Sequence, residues 1–85
     1  MGKMSRTERR RIDASTVAVV VRNRKAVEYY RRHPNGSFDF WGNGGRPLVG
    51  RGRGGKLVAW EGNHRIAAAA AEGRSIVVDF ALDAY

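Results

Sequence analysis

The chain has 85 residues, a formal net charge of +8 and no cysteine. That length makes one domain that buries about 60–65% of its unfolded surface, so the core is modest. The composition excludes a disulfide or thiolate–metal framework. No apolar run approaches the ~18 residues of a membrane span, and the N-terminus lacks the apolar core of a signal peptide.

The charge is unevenly placed. Residues 1–32 hold ten Lys/Arg and three Asp/Glu, whereas residues 33–85 hold six and five. A basic first third on a nearly neutral remainder points to nucleic acid or another polyanion. A solubilising tail is the plainer account.

In chain order, residues 1–11 are polar and basic, with Lys3, Arg6, Arg9, Arg10 and Arg11 and no hydrophobic period. They are expected to form a flexible arm that neutralises phosphates without reading sequence. Residues 12–85 form the domain. Thr16–Val21 is β-branched and reads as a strand, with a helix from Ser15 as the alternative. Arg22-Asn23-Arg24 is a polar turn. Lys25–Arg32 reads as a short helix with Ala26, Val27 and Tyr30 inward, stopped by His33-Pro34-Asn35-Gly36. Ser37–Gly45 is a loop whose Phe38, Phe40 and Trp41 cover a small core, stack on bases or form a lid. Pro47–Gly50 and Lys56–Trp60 are hairpin strands. Their connector, with Arg51 and Arg53 among glycines, is either a plain hairpin turn or a mobile basic segment that holds RNA loosely.

The richest stretch is Leu57–Leu82. An apolar strand is followed by Glu61-Gly62-Asn63-His64-Arg65, then Ile66 and five alanines, then Glu72-Gly73 and an alternating strand from Ser75. Gly62 breaks the first strand, Asn63 suits an N-cap, and alanine favours helix. Gly73 suits the helix C-terminus. In the last strand Ile76, Val78, Phe80 and Leu82 share one face. A helix of two turns is marginal alone and must dock on a sheet. The amides around Arg65, Ile66 and Ala67 are expected to be open at the helix mouth, where the dipole favours an anion. Arg65 adds a fork of donors suited to phosphate, and His64 adds a hydrogen bond or an acid–base group. Gly62, Asn63, His64, Arg65, Ile66 and Ala67 are therefore the candidate phosphate site. Ordinary strand-to-helix wiring with a solvated arginine explains the same residues.

His33 and His64 have no ligand spacing, so no metal site is expected. Of the carboxylates Asp39, Glu61, Asp79 and Asp83, only Glu61 neighbours the turn. It is either an ion-pair partner of Arg65 or, with His64, a catalytic acid–base pair or magnesium ligand. Asp79 joins it if the last strand lies beside Leu57–Trp60.

The Gly-Asn-His-Arg turn ahead of an alanine-rich helix resembles the ParB/sulfiredoxin superfamily, whose members carry Gly-x-His-Arg or Gly-Glu-Arg-Arg there. The likeness extends to Arg46-Pro47-Leu48-Val49 and, more weakly, to residues 12–16 and 26–30. It implies a small α/β (α+β) domain with a mixed sheet and two or three short helices. The turn and helix N-terminus would bind nucleotide phosphate, with CTP or ATP and magnesium as the cofactor. Partition proteins of this type hydrolyse CTP and clamp DNA. The sulfiredoxin cysteine would fall at Asn63, so its thiol chemistry is excluded. The chain ends at Tyr85, three residues beyond the last strand, so neither the helix-turn-helix nor the dimerisation domain of partition proteins is expected. Their later Glu-Asn-x-Gln-Arg motif has no match.

The leading expectation is a cytoplasmic ParB-like module that binds phosphate at this turn. It would engage DNA or RNA through Lys3, Arg6, Arg9, Arg10, Arg11, Arg22, Arg24, Lys25, Arg51 and Arg53. Such a small module suits a phage or mobile element. The alternatives are a nuclease, nucleotide hydrolase or kinase using His64 and Glu61, and a protein-partner module with a vestigial pocket. No membrane partner is expected.

Overall fold

Alternating apolar residues after Gly73 make the strand that everything else is laid against. The computed structural model describes residues 6–34 and 46–82. The elements are β1 (Thr7–Asp13), α1 (Arg24–Arg32), β2 (Leu48–Arg51), β3 (Leu57–Glu61), α2 (Asn63–Ala71) and β4 (Ser75–Ala81). The four strands form one mixed sheet in the order β1-β4-β2-β3. β4 pairs antiparallel with β1 from Asp13↔Ser75 to Thr7↔Ala81, and parallel with β2 at Leu48↔Asp79 and Val49↔Phe80. β2 and β3 form an antiparallel hairpin with an irregularity between Leu48 and Val49. The fold is α+β, as the sequence implied.

The core forms where α2 and the segment after β1 meet the sheet. Ile66 and Ala69 pack with Val49, Ala59, Val78 and Phe80, joined by Ala14 and Val17. Alanine at position 69 lets the α2 backbone come close to the strands. The opposite stripe of α2 buries Ala68 against Ala26 and Tyr30 of α1. These small side chains replace the large ones of a bigger core, so helix–sheet proximity supplies the contact. Position 62 shows how tight this is. Gly62 has φ of +80°, and a Cβ there would lie 2.6 Å from the Pro47 Cβ. Two constraints, backbone sign and space, demand glycine at one place.

Two expectations change and one alternative is decided. Residues 7–11 are not an unstructured arm: they form most of β1, an edge strand whose charges suit an exposed edge. Thr16–Val21 is not a strand. Asp13 instead caps a 3₁₀ turn at Ala14–Thr16, its Oδ1 accepting from the Ser15 amide at 3.0 Å and the Ser15 hydroxyl at 2.8 Å. Those bonds hold the Asp13 carboxyl below its ordinary range. Beyond the turn only Ala18 bridges to Val58, alongside β3. β-branched content marked an extended segment but not whether it would join the ladder. Finally, the glycine connector is a closed hairpin turn: Gly54 and Gly55 have positive φ, and the Gly52 amide donates to the Lys56 carbonyl at 2.7 Å. The aromatic loop at 37–45 and Asp83 lie outside the described residues. Among the described residues no helix is long and apolar enough to cross a membrane.

Because β1 is part of the sheet, deleting residues 1–11 strips five of its seven residues. That deletion is expected to abolish or lower the cooperative thermal transition by more than about 2 kcal/mol, counting roughly 1 kcal/mol per ladder hydrogen bond. Deleting residues 1–5 should leave it within about 0.5 kcal/mol. Thermal denaturation followed by circular dichroism distinguishes the two.

A basic candidate cleft at the start of α2

β3 ends at Glu61, Gly62 reverses the chain, and α2 starts at once. Gly62, not Asn63, is the N-cap, and it offers no capping side chain. The first helical hydrogen bond runs from the Ile66 amide to the Gly62 carbonyl at 3.0 Å. The Ile66 amide is thus engaged. The open positions start two residues earlier than expected, at Asn63 and His64, whose amides have no backbone partner among the described residues. Ile66 itself is fully buried in the core and Ala67 does not line the cleft.

The side chains freed from capping take another role. Asn63 Oδ1 accepts the Val20 amide at 2.8 Å. His64 Nε2 accepts the amides of both Arg22 and Asn23, each at 3.1 Å. The next link is Asn23, whose Oδ1 caps α1 by accepting from the Lys25 and Ala26 amides at 3.0 and 3.4 Å. The motif therefore ties the segment 20–23, and through it α1, across the mouth of α2.

An imidazole that accepts two N–H groups at Nε2 is neutral and carries its proton on Nδ1. The lone pair expected to act as a general base is already in use. What His64 still offers the cleft is an Nδ1–H donor.

The result is a cleft of about 380 Å³ between the two helix starts. Gly62, Asn63, His64 and Arg65 form one side; Val20, Arg22, Ala26 and Tyr30 form the other. Among the described residues no Asp or Glu lines it. Glu61, exposed at the end of β3, is not brought into it, so the expected His64–Glu61 pair does not converge there. Asp79 is not beside β3 either, because β2 intervenes; it accepts from Arg46 Nε at 2.8 Å. Among the described residues no three His, Cys, Asp or Glu side chains group as metal ligands.

The basic residues proposed for nucleic acid scatter. Arg22 enters the cleft. Arg10 pairs with Glu8 and lies over the Phe80 ring at 4.2 Å; Arg51 approaches the same ring at 5.5 Å. Arg24 and Lys25 stand at the start of α1, and Arg53 is exposed in the hairpin turn. Arg6 precedes β1, and its carbonyl accepts the Leu82 amide at 2.8 Å. Arg9 and Arg11 face a separate groove with Arg46 and Arg74, two residues sequence reading missed. Their only sequence signal is position: one precedes β2 and the other precedes β4. Lys3 lies outside the described residues.

What fold and cleft together define is a small α+β domain with a basic recess at a helix start. No family model, curated protein or solved structure matches the chain.

His64→Ala is expected to destabilise the domain by about 1–3 kcal/mol, because it leaves the Arg22 and Asn23 amides unpaired. Its readout is the urea midpoint, with loss of α1 helicity in the far-ultraviolet spectrum. Gly62→Ala should cost about 2 kcal/mol or more, since the alanine meets both a positive φ and Pro47. Equal midpoints for Gly62→Ala and the native chain would refute the second expectation.

Proposed function

We propose that the chain is a ParB-like module that binds the phosphate of a nucleotide or nucleic acid in this cleft. The observation that carries the reading is the joint presence there of open α2 amides and two arginines with, among the described residues, no carboxylate. Helix-start amides and the dipole favour an anion, and guanidinium groups fit phosphate oxygens in pairs. The His64 Nδ1–H supplies a third kind of donor. A volume near 380 Å³ is at the lower end of small-molecule sites and takes a nucleotide better than it takes a larger cofactor. The basic surface outside the cleft engages DNA or RNA, in a cytoplasmic setting. Turnover has less support than binding: His64 Nε2 is occupied by the protein's own backbone and Glu61 stands apart.

The test is thermal denaturation of the full chain with each ribonucleoside triphosphate and with inorganic phosphate, with and without magnesium. A ligand at a hundredfold its Kd stabilises by about 2.7 kcal/mol. For a domain this small, that raises Tm by about 10 °C or more. Arg22→Gln/Arg65→Gln should remove the shift. The reading fails if no nucleotide and no phosphate moves Tm.

A further inference from the structure

A second recess, on the far side of Tyr30 and Arg65, has a different character. It has a volume of about 440 Å³ and is lined by Arg9, Arg11, Arg46, Arg65 and Arg74, again with no Asp or Glu among the described residues. Tyr30 contributes to both recesses, as does Arg65. We infer that this groove is a track for the backbone of single-stranded nucleic acid, bound without regard to sequence. The inference rests on the reading of the chain as a binder of nucleotide or nucleic-acid phosphate and assigns that binding a surface.

Two observations carry it. First, Arg9 and Arg11 pair across to Asp79 and Val77, so both project from one face of β1. Their spacing along a strand is about 6.8 Å, on the scale that separates successive phosphates of one nucleic-acid strand. Second, among the described residues neither Arg9, Arg11 nor Arg74 has a carboxylate partner; the Asp79 carboxylate opposite Arg9 is engaged by Arg46. The surface offers phosphates a row of guanidinium groups and offers base edges no projecting helix or ribbon, so affinity comes from counterion release.

The experiment is fluorescence anisotropy of the full chain with a labelled single-stranded 12-mer of mixed sequence across a salt series. Three neutralised phosphates give a slope of log K against log salt near −2. Arg9→Gln/Arg11→Gln/Arg74→Gln should weaken binding about tenfold or more in ~0.1 M salt and flatten the slope towards zero. Arg31→Gln/Arg32→Gln/Lys56→Gln removes equal charge at exposed positions away from the groove and should change affinity less than about twofold. Protection from phenylglyoxal, read by mass spectrometry on the native chain, needs no variant: the oligonucleotide should shield Arg9, Arg11 and Arg74 and leave the exposed Arg32 reactive. The inference is overturned by equal losses in the two triple variants, by tighter binding of the matching duplex, or by equal competition from polyglutamate of the same charge. The nucleotide-induced rise in Tm should persist in the groove variant. Its absence from the native chain would count against the cleft, while unprotected groove arginines would count against the track.

Discussion

Two side chains in the first turn of α2 hold a length of backbone that hydrophobic burial does not hold. Val20 and Val21 are 58% and 42% exposed, so the segment between the 3₁₀ turn and α1 has little apolar reason to stay in place. It is held by Asn63 accepting one amide and His64 accepting two. Those same amides position Asn23, which caps α1. Only then can Ala26 and Tyr30 reach Ala68. The wall of the cleft opposite Arg65 exists because the turn that begins α2 also fastens the chain facing it.

This coupling explains why the first turn of α2 is uncapped by its own residues. A helix start normally satisfies early amides with a side chain at the cap. Here the cap is glycine, fixed by Pro47 and by positive φ, and the two nearest polar side chains point away to the facing segment. The early amides of Asn63 and His64 therefore stay without a backbone partner among the described residues, in two residues that line the cleft. Structure and anion affinity have one cause: side chains that serve the fold leave backbone donors exposed. The same choice removes Nε2 of His64 from chemistry and leaves Nδ1–H as a donor, which suits holding a ligand more than transforming it.

Much of this was legible in the residues. The Gly-Asn turn, the alanine helix and the alternating last strand fixed β3, α2 and β4 to within a residue or so, because each has a strong local signal: positive φ, helix propensity, period two. The cleft residues Gly62, Asn63, His64 and Arg65 were found the same way. β1 was missed because Thr-Glu-Arg-Arg-Arg-Ile-Asp has no apolar alternation; its strand character comes from the ladder that β4 offers far along the chain, with Arg11 opposite Val77 and Asp13 opposite Ser75. Thr16–Val21 failed for the converse reason. Its β propensity is high, but the Asp13–Ser15 turn reorients it and the Asn63 side chain accepts its Val20 amide. Glu61 looked catalytic by adjacency, yet a strand end points its side chain by sheet parity, and adjacency in sequence did not place it in the cleft.

The period of two in β1 also changes what the basic first third means. Read as a run, Arg9-Arg10-Arg11 is a diffuse positive charge. Folded as a strand, it divides. Arg10 joins the side of Val78, where its guanidinium covers Phe80 and pairs with Glu8. Arg9 and Arg11 go to the other side and face Arg74 and Arg65. One strand thus spends one arginine on covering the sheet and directs two at a single groove. Edge protection and polyanion attraction then need no compromise, because a charged edge discourages strand addition while the same charges, spaced by the pleat, present a regular row to phosphate. The net charge of the chain is less informative than the parity of the residues that carry it.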